Sequence, residues 1–536
     1  MRFVFLTGNM GAGKSVVGRA LAEQLGCPFY DTDILIEAAA GMRIAHIFTQ
    51  RGEARFRQME HQQLRRLVRQ PPGVVATGGG IVIDSRNRAL MRRHGWVLYL
   101  QARPETLAAR IENPDSRPLL QTATTPQQAL QQIAQQREPF YQEADWIIET
   151  DTLTPEQVME QLQRLVAPTP ESPLLIPAPR SEVLLAPGIR RQIANSLLKR
   201  ARPSRTVVLT HPVLKAEGEK LAQSLQAHNV PATLLIVPAG ERFKTMRTAM
   251  RLYRALLTAQ LDRRSVIIVL GGGVLGDLGG FVAATYLRGI PFVQLPTTLL
   301  AQVDASIGGK VAIDMPEGKN LVGAFHQPLM VLTDPELLCS LPTRQWRNGL
   351  AEMLKYGIVF DRGLWLRLQT MIERQVIRQR RIRKEPEEWL IPIARCIALK
   401  AQIVAQDERD ERGLRALLNF GHTVGHAIEA VLGYRQWLHG EAVAAGMYAE
   451  AVLGMLLGIT PAEVVDALEQ TLRAVGLPTR LPALPTERLL GAMQYDKKRV
   501  GERWQVVLLR AIGQAQLMPD VPIETMREAL RRCGAQ

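Results

Sequence analysis

A chain of 536 residues, 46% hydrophobic and 22% charged, is too long for one core and has the composition of a soluble globular protein of roughly two to four domains. Its formal charge of +15 fits either a nucleic-acid partner or anionic substrates on a basic surface. No apolar run reaches the ~18 residues of a membrane span, and Cys27, Cys339, Cys396 and Cys533 form no CxxC pair or disulfide framework, so a cytoplasmic protein with reduced thiols and no membrane partner is expected.

The first predicted element is a strand, Arg2 to Thr7, which runs directly into Gly8-Asn-Met-Gly-Ala-Gly-Lys-Ser15. This is a complete phosphate loop. Gly8, Gly11 and Gly13 let the backbone curl around phosphate oxygens, Lys14 reaches the β- and γ-phosphates, and the Ser15 hydroxyl ligates Mg²⁺. A second strand ends at Pro28-Phe-Tyr and leads to Asp31 and Asp33. One of these carboxylates is suited to Mg²⁺ held through water and the other to a substrate hydroxyl, and either can also cap the helix that follows. Next come Phe48 to Glu60 (FTQRGEARFRQME) and then Gly78-Gly79-Gly80 after the strand Val74 to Thr77. Consecutive glycines allow a backbone to approach a ligand closely. Arg117 sits in a Pro-flanked loop suited to a lid, and Arg137 in REPFYQEA.

With these motifs in order, residues from Gly8 to about Val166 resemble shikimate kinase. The resemblance implies ATP with Mg²⁺ on Gly11, Ala12, Gly13, Lys14 and Ser15, and shikimate on Asp33, Arg57, Gly79, Gly80 and Arg137. It also implies that Arg117 reaches over the transferred phosphoryl group. Lys14, Asp33 and Arg117 are thus the expected catalytic residues. Two arginine forks on one carboxylate, and a lid that excludes water, suit that chemistry.

Between Ala167 and Arg180 prolines stand at 168, 170, 173, 177 and 179. A segment without these N–H groups cannot form an interior helix or a central strand, so 167–180 is expected to be an extended spacer. From about 181 to 335, strands (VVLT, ATLLIV, VIIVL, FVQLP) alternate with helical patterns, as in a parallel α/β sheet. Here Gly271-x-Gly273-x-x-Gly276 follows the strand Val266 to Leu270 and precedes Asp277. The dinucleotide fingerprint is weak alone, because the acidic residue expected about 20 positions on is absent. From 336 to 536 helical periodicity dominates, at Leu350 to Ile358, Ile391 to Gln406 and Gly440 to Leu457. The basic cluster Arg378 to Lys384 precedes Glu385, Glu387 and Glu388 and lacks interleaved aromatics, which favours a solvated helix face over nucleic-acid binding.

Three of the nine histidines fall between His422 and His439. His422 and His426 share one face of a helix, and with Glu352 the set suits Zn²⁺ with an open position for substrate. Any one of these histidines alone would as readily be structural. Lys310, Lys319, Lys355, Lys400, Arg415 and Lys497-Lys498 surround the motifs and would serve a substrate carrying both phosphate and carboxylate.

Together PAGERFKT, GGGVLGDLGGF, PTTLLAQVDASIGGK, GLAEMLKYG, LNFGHTVGHAIEA, HGEAV and DKK resemble 3-dehydroquinate synthase from about residue 181 onward. The resemblance implies a divalent metal, zinc or cobalt, on Glu352, His422 and His439. It implies NAD⁺ on Glu241, Lys244, Gly272, Gly273, Val274, Asp277, Thr297, Thr298 and Lys319. The heptulosonate phosphate substrate maps to Asp304, Lys310, Asn320, Lys355, Lys400, Arg415, Asn419, His426 and Lys497, with Lys310, Lys355, Arg415 and His426 catalytic. Thr210-His211-Pro212 departs from the family pattern, leaving the adenosine-ribose contact open. A homodimer through the C-terminal half is also implied.

The expectation is therefore two α/β enzymes in tandem. A phosphate-loop kinase domain (1–166), with a parallel sheet between helices, precedes the spacer. An α/β NAD-binding domain (181–335) and a mainly helical metal- and substrate-binding domain (336–536) follow. A related sugar-phosphate cyclase, a non-catalytic half and a nucleic-acid binder are the competing readings.

Overall fold

The computed structural model describes residues 2–111, 120, 125–375, 385–408, 413–494 and 504–536. Arg117, the basic cluster Arg378 to Lys384, and Lys497 with Lys498 lie outside them. The chain forms two compact units, Met1–Ala167 with Arg362–Thr370, and Pro168–Asp361 with Met371–Gln536. No helix among the described residues is long and apolar enough to cross a membrane.

The first unit is built on a parallel sheet of β1 (Phe3–Thr7), β2 (Phe29–Asp31), β3 (Val74–Ala76), β4 (Gly95–Gln101) and β5 (Trp146–Glu149), in the order β2-β3-β1-β4-β5. All of β1 and β3 is buried, as strands covered on both faces require. The chain leaves central β1 to reach β2 on one side, while β4 lies on the other. The phosphate loop after β1 therefore opens at the point where the connections diverge, where open α/β sheets bind ligands. Within this unit the segment Arg362–Thr370, expected in the helical part, is held by buried Arg367. Its guanidinium pairs with buried Asp145 and donates to the carbonyls of Arg92 (2.7 Å) and Gly95 (2.8 Å).

The second unit carries a seven-stranded sheet: β6 (Leu174–Ala178), β7 (Ser181–Leu185), β8 (Thr206–Thr210), β9 (Ala232–Ile236), β10 (Val266–Gly271), β11 (Phe292–Pro296) and β14 (Met330–Thr333). The hairpin β12 (Lys310–Met315) and β13 (Gly318–Phe325) stands apart from it. The order is β6-β7-β14-β11-β10-β8-β9, and every pairing is parallel except β6 with β7. Alternation along β10 divides the core. Ile268 and Leu270 pack with Leu221 and Leu225 of the helix Lys215–Ala227. Ile267 and Val269 pack with Leu252 and Leu256 of the helix Met246–Thr258 and with Leu278 of the helix Gly273–Thr285. The proline-rich segment differs from the expected spacer, since Leu174–Ala178 pairs as the edge strand β6, with Pro177 opposite Glu182. An edge tolerates proline because one side needs no ladder donor. The expected boundary near 335 also does not separate compact units, for Pro168–Asp361 and Met371–Gln536 belong to one.

Candidate functional site

The kinase-like site forms around the loop after β1. Gly11 and Gly13 lie at φ +82° and +81°, a region closed to most L-residues, and the helix Lys14–Gln24 starts directly behind them. Lys14 Nζ donates to the carbonyls of Gly8 and Asn9, each at 2.8 Å, which holds the ammonium inside the loop. The two aspartates take different positions. Asp31 caps the helix Thr32–Ala40 by accepting from the N–H groups of Asp33 (3.0 Å) and Ile34 (3.4 Å), and its other oxygen accepts from Ser15 Oγ at 2.7 Å. Asp33 turns instead toward the three-glycine turn, where a Cβ on Gly78 would lie 2.7 Å from Asp33 Oδ1 and 3.0 Å from Glu60 Oε1.

Arg57 and Arg137 flank the same turn. A Cβ on Gly80 would collide with the Arg57 guanidinium, and one on Gly79 would lie 3.4 Å from Arg137 Nη1. A side chain at Gly80 would displace the Arg57 guanidinium from its place beside the turn, whereas at Gly79 the contact with Arg137 would be an ordinary one. Arg137 is buried on the helix Pro126–Tyr141. One turn on, Tyr141 Oη donates to the Gly79 carbonyl (2.5 Å) and lies 3.2 Å from Asn9 Oδ1, bringing the glycine turn against the phosphate loop. Tyr141 stacks on Tyr99 of β4 with centroids 4.6 Å apart.

Glu60 sets the charge of this pocket. It lies one turn from Arg57, with Arg57 Nη1 3.0 Å from Glu60 Oε2, and is itself buried. Burial pushes its carboxyl up to about 7, against the pull of Arg57. The raised value means the folded chain keeps a proton that the unfolded chain loses above pH 4.5. Stability therefore falls as pH rises from 4.5 to about 7, by roughly 3 kcal/mol in total. Glu60→Gln is expected to flatten that decline. Pulse proteolysis in urea between pH 5 and 7.5, scored on peptides from Met1–Ala167, measures it, and an unchanged slope would refute the assignment.

In the second unit the glycine loop after β10 lies where connections diverge between β8 and β10. Gly272 caps the helix Gly273–Thr285, and a Cβ on Gly272 would lie 3.1 Å from Thr298 Cγ2. Thr297 N donates to Gly271 O at 3.0 Å. Lys244 is buried at this helix, 2.6 Å from Asp277 Oδ2, 3.8 Å from Glu241 Oε1 and in contact with Asn320 Oδ1. Burial lowers its pKa, but the facing carboxylates outweigh burial and raise it. Lys319 Nζ lies 3.0 Å from Glu429 Oε1 and 4.0 Å from Glu241 Oε2. His211 follows β8, with Nδ1 2.8 Å from Val237 O.

Three helices bring the expected metal ligands together. Glu352 lies within the helix Thr343–Phe360, while His422 and His439 are the first residues of the helices His422–Val431 and His439–Leu456. Buried side chains at the helix starts fix the histidines. Gly421 N and Val424 N donate to buried Glu450, at 2.7 and 3.3 Å, and Gly440 N donates to Asn348 Oδ1 at 2.6 Å. Asn348 is one turn before Glu352, so the helix that carries Glu352 also caps its neighbour. His422 Nε2 and His439 Nε2 stand 3.4 and 3.6 Å from Glu352 Oε1, and the three ligand atoms lie within 4.8 Å of one another.

Glu352 is completely buried, and neither of its oxygens has a well-formed hydrogen bond. They face the two imidazole nitrogens and the Lys355 ammonium. Burial raises its pKa, but Lys355 and His439 outweigh burial and hold the carboxyl at about 2. A buried, ionised carboxylate opposed by two imidazoles fits a divalent cation of the zinc or cobalt type. His426 stands on the next turn from His422, their rings 5.4 Å apart.

Around this group, Asp304 Oδ1 accepts from Tyr356 Oη (2.6 Å) and pairs with Lys400 Nζ (2.6 Å). Burial works to raise the Asp304 pKa, but Lys400 outweighs it and lowers it. Arg415 is buried, Nη1 donates to Glu408 O at 3.0 Å, and Nη2 is 3.1 Å from where a Cβ on Gly308 would sit. Asn419 ends the short helix Leu414–Asn419, three residues before His422. Lys310 starts β12 and is exposed. Tyr141, Glu429 and Glu450 join these sites from within quoted motifs or a neighbouring helix, and a carboxylate in a helical run carries no signal until its packing is known.

Residues 234–348 and 349–499 match the family models of the 3-dehydroquinate synthase N-terminal and C-terminal parts. A 3-dehydroquinate synthase from Synechococcus sp. is 42% identical over 367 residues, 67% of this chain and 97% of that protein. The chain belongs to the 3-dehydroquinate synthase family. The Bordetella pertussis 3-dehydroquinate synthase is 47% identical over 326 residues, covering 61% of this chain and 89% of its own. Residues 10–167 match the shikimate kinase model, so the family's synthase parts here follow a kinase domain and the chain is bifunctional, a kinase joined to a lyase of the shikimate pathway. Among solved structures, the 2-epi-5-epi-valiolone synthase ValA from Streptomyces hygroscopicus, with NAD⁺ and Zn²⁺ bound, is 29% identical with a TM-score of 0.59, over 66% of this chain and 96% of that one.

Proposed function

We propose that the N-terminal site transfers the γ-phosphoryl group of ATP to shikimate, and that the C-terminal site converts 3-deoxy-D-arabino-heptulosonate 7-phosphate to 3-dehydroquinate with release of phosphate. The convergence of Glu352, His422 and His439 beside Lys355, Lys400 and Arg415 is the observation that carries the second reaction. In the kinase, Gly11, Ala12, Gly13, Lys14 and Ser15 bind ATP with Mg²⁺, and Asp31 supports Ser15 from behind. Asp33 receives the shikimate hydroxyls, Arg57 and Arg137 grip its carboxylate beside Gly79 and Gly80, and Arg117 covers the phosphoryl group.

In the synthase, Glu352, His422 and His439 hold the divalent cation, and Glu241, Lys244, Gly272, Gly273, Val274, Asp277, Thr297, Thr298 and Lys319 hold NAD⁺. When bound, the cation acidifies a substrate hydroxyl and NAD⁺ takes up a hydride that it later returns, so the cofactor is not consumed. Asp304, Lys310, Asn320, Lys355, Lys400, Arg415, Asn419 and Lys497 orient the sugar by its hydroxyls, carboxylate and phosphate, and His426 stands where protons move. The chain's contribution is mainly fixed charge: buried Lys355, Lys400 and Arg415 cost no reorganisation when phosphate departs. A cytoplasmic location, supported by four free thiols, and a homodimer through the C-terminal half belong to the same reading.

Identity of 42% and 47% to 3-dehydroquinate synthases, against 29% to the valiolone synthase, favours the heptulosonate phosphate over other sugar phosphates. Purified protein with this substrate, NAD⁺ and Zn²⁺ is expected to release inorganic phosphate, and with shikimate and Mg-ATP to form ADP. Turnover of sedoheptulose 7-phosphate in place of the heptulosonate would overturn the synthase assignment. ADP formation that does not depend on shikimate would overturn the kinase assignment.

A further inference from the structure

His439 has two ring nitrogens and two carboxylates. Its Nε2 faces Glu352, while its Nδ1 lies 3.1 Å from Glu429 Oε2. For Nε2 to offer a lone pair to a cation, the ring proton must sit on Nδ1, and that N–H needs an acceptor. Glu429 supplies it. It lies on the helix His422–Val431, seven residues after His422, so the helix that begins with one ligand also carries the partner of another.

Glu429 is itself held from a second side. It is buried, and its Oε1 accepts from Lys319 Nζ at 3.0 Å. Lys319 in turn lies over the ring of Tyr434, 4.5 Å from the centroid. Tyr434 takes a left-handed backbone at φ 59° and donates its N–H to the Glu429 carbonyl at 2.8 Å. A buried anion with a cation on one oxygen and an imidazole on the other cannot swing away, so it fixes the orientation of the ring.

We propose that Glu429 is the positioning residue for His439, setting Nε2 as the nitrogen that faces the cation. Carboxylates behind metal-bound histidines orient the ring and raise its basicity, and losing one costs about 10–100-fold in metal affinity. Glu429 also lies within ligand distance of His426 and His439, so the alternative is that it binds a cation directly. The proposal rests on Glu352, His422 and His439 being the metal ligands.

The test is competition for Zn²⁺ between the full-length chain and a chromophoric chelator, for the native chain, Glu352→Gln, Glu429→Gln and Glu429→Asp. Native protein should bind one Zn²⁺ at this site, and Glu352→Gln should lose it. Failure of either result sinks the metal reading itself. Given both, Glu429→Gln should bind about 10–100-fold more weakly, and Glu429→Asp, which keeps an anionic acceptor, should recover most of that loss. Native affinity in Glu429→Gln overturns the positioning role. Loss as complete as in Glu352→Gln also overturns it, by making Glu429 a ligand. An aspartate variant no better than the glutamine variant overturns it as well, because the acceptor would then not be what matters.

Discussion

His422→Ala is expected to reduce NAD-dependent phosphate release from the heptulosonate phosphate by about 10³-fold or more, while shikimate-dependent ADP formation stays at the native rate. The size follows from what the ligand does. A cation at a developing alkoxide is worth several kcal/mol, and each 1.4 kcal/mol lost is about tenfold in rate. Two protein ligands would remain, Glu352 and His439, with Lys355 already paired to Glu352. The variant should still fold, because alanine is a good helix former and the backbone contact it removes is that of His422 Nδ1 with the Phe420 carbonyl at 3.1 Å. Gly421 and Val424 still donate to Glu450, and Gly440 to Asn348. The kinase is the internal control, since its residues lie in the other compact unit. Phosphate release at more than a tenth of the native rate, with zinc supplied, would remove His422 from the ligand set.

Lys14→Ala is expected to do the reverse, lowering phosphorylation of shikimate by roughly 10²–10³-fold, as loss of one preorganised charge stabiliser does. Its ammonium is held by the Gly8 and Asn9 carbonyls inside the loop, where alanine supplies no charge. The left-handed Gly11 and Gly13 still shape the loop, and nucleotide binding should weaken less than turnover falls. Parallel initial-rate assays on one preparation decide the matter. If cyclisation falls together with phosphorylation, the two sites are not independent. If phosphorylation survives, the phosphate-loop assignment is wrong.

Much of this molecule was legible in the chain because its motifs are local. A glycine loop between a strand and a helix is one short stretch, and both glycine loops occur where the spacing predicts, after Phe3–Thr7 and after Val266–Gly271. The strands Thr206–Thr210 and Phe292–Pro296 were equally plain, since strands buried on both faces read as continuous apolar runs. The i, i+4 spacing of His422 and His426 placed both on one face of a helix that does form.

What tertiary structure decided concerns groups that meet across long separations. Asp31 and Asp33 are alike in sequence, but only the fold turns Asp31 to Ser15 and Asp33 to the glycine turn. Prolines in 167–180 excluded a central strand, yet whether the segment paired at all depended on an open edge at β7. Glu60, Glu429 and Glu450 are ordinary helical carboxylates until packing removes them from water and sets them against an arginine, an imidazole and a helix N-terminus. Residue type and local spacing determined where the glycine loops and the candidate ligand residues stand in the chain. Burial and the meeting of distant helices decided which charges face those ligands, because a carboxylate's role follows from its partners and its solvation.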